Sequence, residues 1–150
     1  MRSPSRASTR QGERRPPAAS RRHHPPARVE PSVLARFRSL CRGLPGSVET
    51  LTFGHPTFQA GPRHTFAVLD DHERPGLLCL VVKLDPALQA AVVDGDTCFP
   101  SKFGARHGWT AVRIDAATDW RRAGELVVMS FRRVAPARLV ARIDARVRPS

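Results

Sequence analysis

Hydrophobic residues recur along this chain in two periods, and the places where one period gives way to the other mark its elements. Behind Glu30-Pro31-Ser32, residues Val33, Leu34, Phe37, Leu40, Cys41 and Leu44 recur at helical spacing, and Gly43 is a stop signal. A first helix is expected over residues 32–42. After the turn Leu44-Pro45-Gly46, the pattern predicts a strand from Glu49 to Gly54, an interruption at His55-Pro56 and a short strand from Thr57 to Ala60. Gly61-Pro62 then turns the chain into Arg63–Leu69, where Thr65, Ala67 and Leu69 alternate against His64, Phe66 and Val68. The polar stretch Asp70 to Gly76 reads as a hairpin loop. Leu77 to Leu84 is apolar on both faces, as a central strand is.

Asp85 places a capping carboxylate ahead of Pro86, and Leu88, Val92 and Val93 follow before Gly95 ends a short helix. Pro100, Gly104 and Gly108 make residues 100–108 a surface loop that carries Lys102, Phe103, Arg106 and His107. From Trp109 the chain alternates: Trp109, Ala111 and Arg113 on one side, Thr110, Val112 and Ile114 on the other, a strand with one buried face. Trp120, Ala123, Val127, Phe131 and Val134 then follow a 3.6-residue period, so a long helix packs that stripe inward. Its opposite side gathers Arg121, Arg122, Glu125, Arg132 and Arg133, while Gly124 within it invites close approach of a neighbour. Pro136 opens a last helix with Leu139, Val140, Ile143 and Val147 as its apolar set. The expected fold class is α+β: an antiparallel sheet of about five strands packed by helices, in one domain over residues 30–150.

Charge changes the picture at the N-terminus. The chain has 25 basic and 13 acidic residues, net +12, and residues 1–29 hold eight arginines and one glutamate, net +7. With paired prolines and no aliphatic side chain larger than alanine before Val29, this stretch reads as a disordered basic tail. It either adds non-specific affinity for nucleic acid or is simply a solvated extension. The rest of the chain is net +5, and an excess of that sign favours an acidic partner. Cys41, Cys79 and Cys98 sit in apolar surroundings without a C-x-x-C pair, which points to core thiols in a reducing compartment. No apolar run approaches the ~20 residues that cross a bilayer, and no hydrophobic signal core follows the N-terminal arginines. A soluble, cytoplasmic protein with no membrane partner is expected, and the working expectation is a monomer.

Catalytic and metal chemistry leave little trace in the spacing. None of the histidines at 23, 24, 55, 64, 72 and 107 forms H-x-x-x-H or H-E-x-x-H, so no metal and no cofactor are expected. There is no G-x-S-x-G, Walker loop or G-x-G-x-x-G, and no enzymatic activity is expected. Asp70, Asp71, His72 and Glu73 are adjacent, but in a hairpin loop their charge would be solvated rather than catalytic. His55 either orients a backbone turn or faces a ligand, and the turn is the favoured reading. Trp109 and Phe103 among Lys102, Arg106, His107 and Arg113 form either a base-stacking platform or, for Trp109, a cap on the core.

Taken in order, Leu44-Pro45-Gly46, Glu49, Phe53-Gly54-His55-Pro56-Thr57-Phe58, Phe66-Ala67, the apolar strand through Lys83, Phe99-Pro100, Gly108-Trp109 and Ser130-Phe131 resemble the MmcQ/YjbR family over about residues 33–142. The resemblance implies a double-wing α+β fold and a proposed role in DNA binding. It departs in one place: Phe103 stands where the family often has tyrosine, which keeps a stacking surface and loses a hydroxyl. The expected function is therefore non-enzymatic DNA binding, with Lys102, Phe103, Arg106, His107, Trp109, Arg113, Arg132 and Arg133 as the contact residues. Two alternatives remain: a protein-interaction or regulatory module on the same surface, or a small-ligand binder with a site near His55, Lys83 and Trp109.

Overall fold

The computed structural model describes residues 29–147, so the tail assigned to residues 1–29 lies outside the described residues but for Val29. The order of elements is α1 (Pro31–Arg42), β1 (Ser47–Thr52), β2 (His55–Ala60), β3 (Thr65–Arg74), β4 (Leu77–Lys83), α2 (Pro86–Val92), β5 (Cys98–Pro100), a 3-10 turn (Ala105–His107), β6 (Trp109–Ile114), α3 (Trp120–Val134) and α4 (Ala137–Val147). The six strands form one sheet in the order β1-β2-β3-β4-β6-β5, and every pairing is antiparallel. The sixth strand, β5, escapes the periodicity because three residues are too short to show alternation.

Two further boundaries differ from the sequence expectation, for physical reasons. Phe53 (φ 50°) and Gly54 (φ 84°) both take positive φ and form the two-residue turn between β1 and β2. Residues His55-Pro56 are therefore not an interruption but the start of β2, where Pro56 pairs Leu51 and stands ahead of the first β2–β3 pair, Thr57 with Val68. The stretch from Asp70 is not a hairpin loop either. Strand β3 runs on to Arg74 through an irregularity, in which Asp71, His72 and Glu73 stand opposite Leu78 alone.

The main core fills the space between one sheet face and the helices. Phe37 and Cys41 of α1, Phe58 of β2, Phe66 and Leu69 of β3, Leu80 and Val82 of β4, and Leu126, Val127 and Phe131 of α3 are buried there together. Four aromatic rings cross it in sequence, Phe37 to Phe58 at 5.4 Å, Phe58 to Phe66 at 6.3 Å and Phe66 to Phe131 at 5.2 Å between centroids. Trp120 departs from the expected stripe: it is half-buried at the rim, with the Arg36 guanidinium 5.5 Å from its ring. Gly124 meets its expectation, since a Cβ there would lie 3.0 Å from Leu40 Cδ2 of α1.

Polar groups tie the layers at chosen points. The Ser130 hydroxyl, fully buried, donates to the Phe66 carbonyl (2.6 Å) and accepts from the Lys83 N–H (2.8 Å). Ser130→Ala strands both backbone groups in the core and is expected to cost about 1–3 kcal/mol, read from urea unfolding. An unchanged midpoint would mean the helix and sheet are joined by apolar contact alone. Glu49 joins β1 to α1 by accepting from Arg38 (2.9–3.1 Å) and Arg42 (3.0 Å). Those hydrogen bonds, Arg38 first, hold its carboxyl below the ordinary range. Asp85 and Asp119 cap α2 and α3 by accepting backbone N–H groups at 3.0–3.1 Å. Among the described residues, no helix is long and apolar enough to cross a membrane.

Candidate functional site

The second face of the sheet receives no helix residue in its apolar cluster. Cys79, Val81, Phe99 and Ala111 are buried there, with Val68, Leu77 and Trp109 packed partly against them. Strand β6 thus buries residues on both faces, rather than the one face its alternation predicted, because Phe99 of β5 and Val81 of β4 flank Ala111.

At the β4–β6–β5 end of this face sits the loop that joins β5 to β6, and side chains of β3 and α2 help to hold it. Glu73 accepts from the Ser101 hydroxyl (2.5 Å) and the Lys102 N–H (3.0 Å), while Gln89 donates to the Ala105 and Trp109 carbonyls (3.2 Å each). Gly108 closes the loop at φ 94°, its carbonyl accepting the Leu84 N–H at 2.8 Å. Gly104 lies so close to Trp109 that a Cβ there would stand 2.6 Å from Cδ1 of the indole. Trp109 is consequently half-buried beneath its own loop, with the Lys83 ammonium 6.0 Å from the ring.

The sequence-predicted contact residues separate into two groups. Lys102, Phe103, Arg106 and His107 are exposed together on the loop; Phe103 is 66% exposed, and the Lys102 ammonium lies 5.2 Å from its ring. Arg113, on the same strand face as Trp109, is engaged by Asp96 (2.8 Å) and Asp115 (2.9 Å). Arg132 and Arg133 belong to α3, which packs on the other sheet face, and they pair with Asp144 (2.8 Å) and Asp85 (3.7 Å). One cation was missed: Arg74, exposed at the end of β3, places its guanidinium 3.6 Å from the Phe99 ring centroid. Its position at the end of an alternating strand would have revealed it, had that strand not been read as ending at Leu69.

A second assembly joins β2 to β3. Continuing the Thr57–Val68 register by two residues sets His55 across from Asp70. His55 Nδ1 lies 3.0 Å from the Thr52 carbonyl, the turn-orienting role expected of it, and its Nε2 lies 3.0 Å from both Asp71 Oδ1 and His72 Nδ1. His55 and Asp70 are buried, and Asp71 and His72 are half-buried. The solvated reading of this polar run is thereby corrected. Ligand-spacing rules follow one element, whereas this set comes from two strands. Among the described residues, His55, Asp70, Asp71 and His72 are the group whose chemistry could hold a metal ion.

Elsewhere, a groove of about 450 Å³ lies between the end of β6 and the start of α3, lined by Asp94, Arg113, Asp119 and Arg122 among others. His55, Lys83 and Trp109, the residues of the small-ligand alternative, do not line it. The three cysteines are buried free thiols; burial pushes Cys79 up to about 12 and Cys98 up to about 11, which keeps them protonated and unreactive. Asp94 is held well below the ordinary carboxylate range, first by the Thr97 hydroxyl and then by backbone N–H groups of the turn into β5.

Comparison with known proteins places this architecture. The YjbR family model matches residues 42–133. A crystal structure of a Deinococcus radiodurans protein with a DUF419 domain superposes with a TM-score of 0.56 at 26% identity, over 65% of this chain and 75% of that one. No curated protein matched the sequence.

Proposed function

The chain belongs to the YjbR family, and from that premise we propose that its domain is a non-enzymatic DNA-binding module working through the β5–β6 loop and the sheet edge beside it. The observation that carries this reading is the exposed Phe103 with Lys102 beside its ring and Arg106 and His107 on the same short loop. An exposed aromatic among cations stacks an unpaired base while the cations meet the backbone phosphates. Arg74 over the buried Phe99 and Lys83 over the half-buried Trp109 add cations to the same face. Trp109 takes a supporting part, holding the loop through its packing on Gly104. Arg113, Arg132 and Arg133 are left out of the surface because carboxylates already engage them.

The test compares the full chain with Lys102→Ala and Phe103→Ala against single-stranded DNA, duplex DNA and RNA at several salt concentrations. Single strands should bind most tightly, since stacking needs an unstacked base. Lys102→Ala should flatten the plot of log affinity against log salt by about 0.7, one single-strand phosphate contact. Phe103→Ala should lower affinity by about 1–3 kcal/mol and leave that slope unchanged. The N-terminal arginines act equally in all three proteins and cancel in the comparison. Variants that bind like the wild type would place any affinity in those arginines and remove the domain from the reading.

A second reading, a protein-interaction module, is favoured by a different edge. Strand β1 ends the sheet, and Val48, Leu51 and Phe53 on or beside it are 53%, 66% and 42% exposed. Concentration-dependent association abolished by Leu51→Lys would support it against the expected monomer.

A further inference from the structure

We propose that His55, Asp70, Asp71 and His72 form a binding site for a divalent transition-metal ion of the zinc class. One ligand atom from each points to a common centre: Nε2 of His55, Nδ1 of His72 and Oδ1 of both aspartates. Five of the six separations among these atoms are 3.0, 3.0, 3.1, 3.4 and 3.5 Å, and the sixth closes within 4.8 Å. An ion with ligand bonds of about 2.0–2.1 Å in tetrahedral geometry sets its ligands about 3.3–3.4 Å apart, so the four atoms stand near the corners such an ion requires.

Four potential ligand atoms from two strands meet at this point. With Nδ1 held at the Thr52 carbonyl, the Nε2 of His55 faces two carboxylate oxygens and a second imidazole nitrogen. Three potential ligand atoms lie within 3.5 Å of Nε2. A cation at the centre satisfies all of them.

The surroundings have the features of a metal site. The Thr52 carbonyl orients His55, and the His72 backbone N–H donates to Asp70 Oδ1 at 2.8 Å, so two ligands are held by outer contacts. His55 and Asp70 form a buried floor, and the half-buried Asp71 and His72 leave an entry path. Consecutive strand residues normally face opposite sides, and the irregularity after Asp70 turns Asp71 and His72 toward the same point. Two imidazoles select zinc and its transition-metal neighbours over calcium or magnesium, which take oxygen ligands. Two carboxylates balance the two charges of the ion, which would clamp the β1–β2 turn to the irregular part of β3.

The experiment uses full-length protein freed of metal by a chelator and titrated with Zn²⁺ by calorimetry and with Co²⁺ by visible absorption. One ion per chain is expected, with the intense visible bands of tetrahedral cobalt and a melting temperature that rises with Zn²⁺. His72→Ala and Asp71→Ala lie at the open rim, and each should weaken binding beyond the roughly 10–100-fold that loss of an outer-shell partner costs. Far-UV circular dichroism checks that both variants fold. His23→Ala/His24→Ala should bind as the wild type does. Absence of saturable Zn²⁺ binding overturns the proposal, as does a site that survives both rim substitutions or disappears with His23 and His24.

Discussion

Phe131→Ala is expected to remove about 3–5 kcal/mol, a large share of what holds a small domain folded. The ring is fully buried and stands edge-on to Phe66, the last member of the aromatic series that runs from α1 through two strands to α3. Truncation opens a cavity between α3 and the sheet that backbone relaxation fills only in part. Its neighbour Ser130 bonds both Phe66 and Lys83, so the helix is pinned there and cannot slide to close the gap. Trp120→Ala on the same helix should cost distinctly less, about 1–2 kcal/mol, because that ring is half-buried beneath Arg36. Urea unfolding of the two variants checks the order. A Phe131→Ala loss smaller than that of Trp120→Ala would overturn the placement of the core.

Gly108→Ala is the second large effect, expected at about 2–5 kcal/mol from backbone strain and overpacking together. Gly108 has φ 94°, and a Cβ on it would lie 2.2 Å from the Leu84 carbonyl oxygen, which is backbone and cannot swing aside. The same pair of residues carries the 2.8 Å bond from Leu84 N–H to Gly108 O that continues the β4–β6 ladder past Lys83 and Trp109. The substitution should therefore disturb the β5–β6 loop as well as stability, and amide exchange should quicken at Leu84. Gly43→Ala is the control: Gly43 has φ −73° and open space around its Cβ position, so it should be neutral or slightly stabilising. Equal effects at the two positions would mean that the close approach at Gly108 is not a constraint.

The candidate site was legible unequally. Phe103, Lys102, Arg106 and His107 could be read directly, because a loop punctuated by Pro100, Gly104 and Gly108 leaves its long side chains exposed. Arg132 and Arg133 were harder to place, since helical periodicity tells which side of α3 is wet but not which charges meet it, here Asp144 and Asp85. The His55–Asp70–Asp71–His72 assembly was invisible as an assembly. Its signals, Gly-His-Pro and Asp-Asp-His, lie on two strands, and their meeting depends on a register shift that no local period encodes.

By itself the sequence determined what period and turn chemistry dictate: the α+β class, the helices near Pro31, Pro86 and Trp120, the Asp85 cap of the second, the apolar β4 strand, and family membership through ordered short motifs. These are local properties, set by side-chain alternation, proline and glycine dihedrals and capping carboxylates within a few residues. Only the tertiary structure decided that His55-Pro56 begins a strand, that β3 runs past Asp70, and that Trp120 sits at the rim while Phe131 is enclosed. Each of these depends on a partner distant along the chain: the antiparallel register that draws Asp70 to His55, and the arginine of α1 that shares Trp120 with solvent. Burial and pairing are sums over such neighbours, so they become definite only when the layers close.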